Sequence, residues 1–126
     1  MIGNHKYNNI KFTNAIRESY LLILDKLVQQ LNKANLTGQA EVVMTLVDLL
    51  LKQQNDAEFV RLLNSVDMWG GSGAVWEVYI EANDSAREFE LEIIKLIDLM
   101  EKTNVLGKGI KQIRKYFVKK GRGVTS

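Results

Sequence analysis

In Gly70-Gly71-Ser72-Gly73-Ala74 a serine sits among glycines, the arrangement in this chain that most invites a chemical reading. A nucleophile elbow places serine on such a turn, but it needs glycine where Ala74 stands and a buried strand ahead of it. A serine nucleophile also needs a base, and the only histidine is His5, in the polar first dozen residues. A dinucleotide-binding fingerprint fails because Trp76 occupies the third glycine position. Gly107-Lys108-Gly109 lacks the serine or threonine that a phosphate loop carries after its lysine. No set of nucleophile, base and oxyanion donor can be assembled, so a non-enzymatic protein with no cofactor is expected.

Two charge patterns remain. Glu77, Glu81, Asp84 and Glu88 would stack on successive turns if their segment were helical, and without nearby histidine or cysteine they would suit only a hard, oxygen-ligated cation. No calcium-loop spacing accompanies them, and a solvated acidic face accounts for the same residues; no metal site is expected. At the other end, Lys108, Lys111, Arg114, Lys115, Lys119, Lys120 and Arg122 give residues 103–126 a charge of +7 with no acid, against −5 for the rest of the chain. Lys111, Arg114, Lys115, Lys119, Lys120 and Arg122 could neutralise phosphates, with Tyr116 or Phe117 stacking on a base. Complementarity to the acid-rich stretch from Glu77 to Glu101 explains those cations without a partner, and no groove-reading helix pattern is evident.

The glycine cluster itself lies between both tryptophans, Trp69 and Trp76. As plain structure, the glycines would end a helix and reverse the chain above two buried indoles. As a functional feature, exposed amides beside rigid rings are the ingredients of a protein-binding hot spot or a small anion site. The two accounts are compatible.

These residues must be positioned by helices. Thr13 or Asn14 can cap a first helix whose Ile16, Tyr20, Ile23, Leu24, Leu27, Val28 and Leu31 recur at three- and four-residue steps, with Asn35 as its stop. Thr37-Gly38 opens a second helix to about Gln54, apolar nearly all round and so expected at the centre of the core. Asn55-Asp56-Ala57-Glu58 has capping-box spacing, with Asn55 or Asp56 accepting and Glu58 reaching back, ahead of a third helix carrying Phe59, Leu62, Leu63 and Val66 inward. Val75 to Glu81 alternates like a strand, yet a second convincing strand is missing, so a short helix is expected there. Asn83-Asp84-Ser85 starts a long helix with its acids outward, broken by Gly107-Lys108-Gly109, and a last helix spans Ile110 to Val118 before a flexible basic tail at 119–126. The expectation is one all-α antiparallel domain over residues 1–126, of five or six helices, with a glycine-rich loop in the middle and a loose arm at 1–12.

The run Asn55-Asp56-Ala57-Glu58-Phe59-Val60-Arg61-Leu62-Leu63, followed by Met68-Trp69-Gly70-Gly71-Ser72-Gly73-Ala74-Val75-Trp76-Glu77-Val78, resembles a small uncharacterised group of bacterial helical proteins. In that group a short capped helix leads into an aromatic-Gly-Gly-x-Gly turn and then a small apolar run ending in an acid. Some members are regarded as immunity proteins that neutralise a toxin, and the resemblance implies a similar role here. It covers roughly Asn55 to Ile80. Related turns carry serine and an Asn-Asp pair after the last glycine; this chain has Ala74 and Trp76-Glu77, leaving Glu77 to fill the acid's place.

Composition sets the outer bounds. With 126 residues, 46% hydrophobic and 25% charged, the chain has the make-up of a single globular domain. It contains no cysteine and no proline, so disulfides and thiolate sites are excluded. No apolar run reaches the roughly 18 residues of a membrane span, and a cytoplasmic protein with no membrane partner is expected. The expected function is binding of a protein partner, a toxin by the resemblance, through Trp69, Gly70, Gly71, Ser72, Gly73, Trp76, Glu77, Glu81 and Glu88. Nucleic-acid binding through the basic end is the alternative, and pairing of the second helix in a homodimer a further option.

Overall fold

The structure is a computed structural model that describes residues 10–53 and 55–123, with side chains through 121. It is all-α, with no strand among the described residues. Helices α1 (Asn14–Lys33), α2 (Thr37–Lys52), α3 (Asp56–Leu63), α4 (Val66–Trp69), α5 (Asn83–Lys102) and α6 (Ile110–Gly123) follow one another, with a 3-10 turn at Val75–Glu77 between α4 and α5. No helix among the described residues is long and apolar enough to cross a membrane.

The centre is shared by α1 and α2, the pair of elements in most extensive contact. Tyr20, Leu24, Leu27, Val28 and Leu31 are buried along one stripe of α1, which packs against both α2 and α5. α2 buries Ala40, Val43, Leu46, Val47 and Leu50 but leaves Leu51 61% exposed and Met44 open as well. α1, α3, α4 and the 3-10 turn all pack on α2, and its remaining face, with Met44 and Leu51, is left open.

The two twenty-residue helices end alike. Leu36 N–H reaches back to Leu31 C=O and Asn35 N–H to Asn32 C=O; Val105 and Asn104 repeat this on Met100 and Glu101. These paired bonds close the orphan carbonyls of a helix end, and they require a left-handed residue, which Asn35 and Asn104 supply at φ 63°. α5 therefore ends at Lys102, with Asn104 turning the chain ahead of the Gly107-Lys108-Gly109 stretch expected to break it. Gly107 instead makes room for a contact between loops. A Cβ there would collide with the Asn64 side chain, whose Nδ2 donates to Val60 and Val105 carbonyls at 3.0 Å each and joins the end of α3 to the α5–α6 loop.

Asn55 caps α3, accepting from Glu58 N–H at 2.9 Å, but Glu58 does not complete the box; its carboxylate turns to Arg61. That exposed hydrogen bond holds Glu58 below, and Arg61 above, its ordinary pKa. Asp56 serves the tertiary structure instead. Its Oδ2 accepts from Phe12 N–H at 2.8 Å in a buried bond and from Arg17 Nη2 at 2.9 Å in a part-buried one. Phe12 is thereby fixed on the body, its ring 5.5 Å from Tyr20 and 6.0 Å from Phe59, so the expected loose arm ends before it; residues 1–9 lie outside the described residues.

Candidate functional site

The glycine loop is built from α4 upward. Trp69 ends α4 and donates its Nε1–H to Leu63 C=O at 2.6 Å; Trp76, in the 3-10 turn, donates its Nε1–H to Gly70 C=O at 2.9 Å. Each indole is half-buried, and its single polar group is engaged by the backbone of the loop or of α3. Gly70 lies so close to α4 that a Cβ would meet Val66 Cγ1 at 2.5 Å and Val66 O at 2.7 Å. Gly73 adopts φ +90°, a conformation open to glycine at little cost, and its C=O accepts from Gln39 Nε2 of α2 at 3.1 Å. Gly71, Ser72 and Gly73 are exposed. Most of this loop is explained by its own construction.

Beyond it, the short helix expected within Val75–Glu81 is reduced to the single 3-10 turn at Val75–Glu77, and no strand pairs with the rest. After the 3-10 turn the chain is extended over residues 78–80, with Val78 at φ −66° and ψ 152°, then bends at Glu81 and Ala82 into α5. The reason is the alternation itself: half-buried Trp76, Val78 and Ile80 face the body while Glu77, Tyr79 and Glu81 face outward, a period that a helix cannot satisfy. Glu77 and Glu81 thus do not share a helix face with Asp84 and Glu88, and the stacked arrangement that a hard cation would need does not form. Among the described residues no group of three or more His, Asp or Glu side chains is placed to hold a metal ion.

This extended segment is a ridge between two open grooves, both lined by Tyr79, Ile80 and Glu81. The first, about 850 Å³, runs between the ridge, the end of α1 and α5, and contains Lys26, Lys33, Glu88 and Lys95. The second, about 610 Å³, lies between the ridge, α5 and α6, and is walled by Trp76, Tyr116 and Phe117. Trp76 stands edge-on to both aromatic residues of α6, and Tyr79 at the crest is 81% exposed.

Of the residues singled out for partner binding, Trp76, Glu77 and Glu81 meet at the second groove and Glu81 and Glu88 at the first; Trp69, Gly70, Gly71, Ser72 and Gly73 border neither. Tyr79 is the residue that sequence reasoning misses. In the alternating pattern it is the lone aromatic on the charged, outward side, a signal present in the sequence but hidden by the expectation of a helix.

The basic end is largely internal. Lys111 pairs with Glu101 at 2.8 Å, Arg114 with Asp98 at 2.6 Å, and Lys120 with Glu90 at 2.7 Å, knitting α6 to α5. The hydrogen bonds raise the pKa of Arg114 and Lys120. Glu90 is only 6% exposed and also accepts from Arg87, and Glu92 is buried beside Lys95, so α5 does not keep all its acids outward. α6 continues past the expected end at Val118: Lys120 is held by Glu90, and Gly121 lies against the Arg87 guanidinium, which a Cβ would push aside. Lys115 and Lys119 are exposed with no ion pair to another described residue; the side chain of Arg122 lies outside the described residues.

No family model matches the chain, and comparisons with curated proteins and with solved structures find no significant match.

Proposed function

We propose that this protein is a non-enzymatic binding module that acts by covering the surface of a protein partner, in the manner of an immunity protein occluding a toxin. The observation that carries the reading is Tyr79: a large aromatic side chain 81% exposed at the crest of a ridge, with a groove on either side and Glu77 and Glu81 beside it. Rigid aromatic anchors ringed by charge supply affinity and steering together. Nucleic-acid binding has less support, since Lys111, Arg114 and Lys120 are already paired with acids of α5.

The test is affinity capture of the tagged chain and of its Tyr79→Ser variant from nuclease-treated lysate of the native host, at low and high salt. A stoichiometric protein retained by the parent and lost from the variant is expected. Retention of nothing but nucleic acid at low salt, or equal retention by both chains, would overturn the reading.

A further inference from the structure

We propose that the groove between the 78–81 segment, α5 and α6 receives an extended, cationic stretch of the protein partner, laid alongside Val78–Ile80 and hydrogen-bonded to its open backbone groups. The inference rests on the protein-binding reading and assigns it a mode and a chemistry. Three independent features of the same place lead to it.

The first is the backbone. Residues 76–81 alternate half-buried and exposed, and after the 3-10 turn Val78 is extended at φ −66°, ψ 152°, close to polyproline II backbone. No backbone N–H or C=O of residues 78–81 is hydrogen-bonded to another described residue. An extended segment with its backbone groups open can pair with another extended chain: main-chain bonds give affinity, and pockets for alternate side chains give selectivity.

The second is the pocket. Trp76 and Tyr116 meet edge to face at 6.3 Å, and Phe117 closes the wall behind them. Aromatic walls accept the alkyl stem of lysine or arginine and attract its charged head.

The third is charge. Glu77, Glu81 and Asp84 line the groove and form no ion pair with any described residue, while its two cations, Arg87 and Lys120, are both engaged by Glu90. The groove therefore holds four carboxylates against two cations, and the three at its rim have no ion-pair partner. An anionic segment would be repelled, and a neutral one would leave the carboxylates without partners; a basic segment satisfies them.

The experiment is a titration of the full-length, 15N-labelled protein with a capped Lys-Val-Arg-Val-Lys-Val peptide, followed by amide shifts. The comparison peptides are the analogue carrying glutamate at every basic position and the parent peptide N-methylated at alternate residues. Shifts confined to Trp76–Ala82 and the Tyr116 region are expected, with affinity about tenfold weaker for the N-methylated peptide and for a Glu77→Gln/Asp84→Asn variant whose circular dichroism is unchanged. Absence of shifts up to about 1 mM peptide, a weak-binding limit, would overturn the proposal. So would equal binding of the glutamate analogue, or equal binding of the N-methylated peptide. If a partner captured through Tyr79 persists while these peptides fail, the binding function stands and the main-chain pairing mode falls. If capture and peptides both fail, both fall.

Discussion

The indole of Trp76 stands at 82° to the ring of Tyr116, with centroids 6.3 Å apart, while its Nε1–H is bonded to Gly70 C=O. One side chain thus ties the glycine loop to the last helix and forms the wall of a groove. The two tryptophans then divide the labour. Trp69 faces the α3–α4 junction and borders neither groove; Trp76 serves both structure and surface.

Trp69→Ala should therefore lower stability by about 3 kcal/mol, the usual cost of truncating a large, packed aromatic side chain. Tyr116→Ala, at a residue 54% exposed, should cost under about 1 kcal/mol and act on binding instead. Urea unfolding of both variants checks this, and a Trp69→Ala midpoint equal to that of the parent would contradict the structural role of that indole.

The three loop glycines should respond differently to alanine. Gly70→Ala drives a methyl into the Val66 carbonyl and should cost about 1–3 kcal/mol, as overpacking does. Gly73→Ala forces an L-residue to φ +90° and should cost about 1 kcal/mol or more. Gly71→Ala meets nothing within 4 Å and should stay within about 0.5 kcal/mol of the parent. Thermal melts of the series would show whether this rank order holds.

Asp56→Asn should destabilise by about 3 kcal/mol, because it leaves Arg17, whose side chain is 15% exposed, without its carboxylate, and weakens the anchor on Phe12 N–H. Limited proteolysis should then cut near Phe12 faster than in the parent. Unchanged cleavage would show that the aromatic packing of Phe12 on Tyr20 and Phe59 suffices without the anchor.

Alkaline pH should expose the Tyr20 hydroxyl. Burial pushes its pKa from 10.0 to about 12, while its O–H donates to Thr103 Oγ1, whose own proton goes to Leu99 C=O. Above pH 10 the unfolded chain releases this proton and the folded chain keeps it, so stability is complete below pH 10 and lost as pH rises toward about 12. Lys120, raised by its bond to Glu90, adds a loss of the same sign once the pH passes the ordinary lysine value. Tyr20→Phe should flatten the decline between pH 10 and 12 while costing about 1 kcal/mol at neutral pH for the missing hydrogen bond. An equally steep decline in the variant would place the alkaline transition elsewhere.

The helices are legible where a single stripe and a cap coincide. Thr13 accepts from Ile16 N–H, and Asn35 stops α1, as their types and positions imply. Legibility fails where one residue has two possible partners. Asp56 reads as part of a cap but is claimed by Phe12 and Arg17, 44 and 39 positions away, which no local rule can foresee. Glu90 reads as a solvent-facing acid of α5 until α6 folds back and brings Lys120 to it. The alternation of residues 76–81 is visible in the sequence and correct about exposure. It argues weakly for a strand because strands are normally paired, whereas here the inner side packs on helices and the edge stays open.

That open edge also bears on how the protein stays dispersed. An extended segment with apolar residues on one side and unsatisfied ladder groups is a seed for edge-to-edge aggregation, and natural sheets guard such edges with charge. Glu77 and Glu81, flanking Tyr79, are gatekeepers of this kind: two copies meeting ridge to ridge would bring four carboxylates together. Replacing both acids would strip that guard from the edge and let two such ridges approach without charge repulsion.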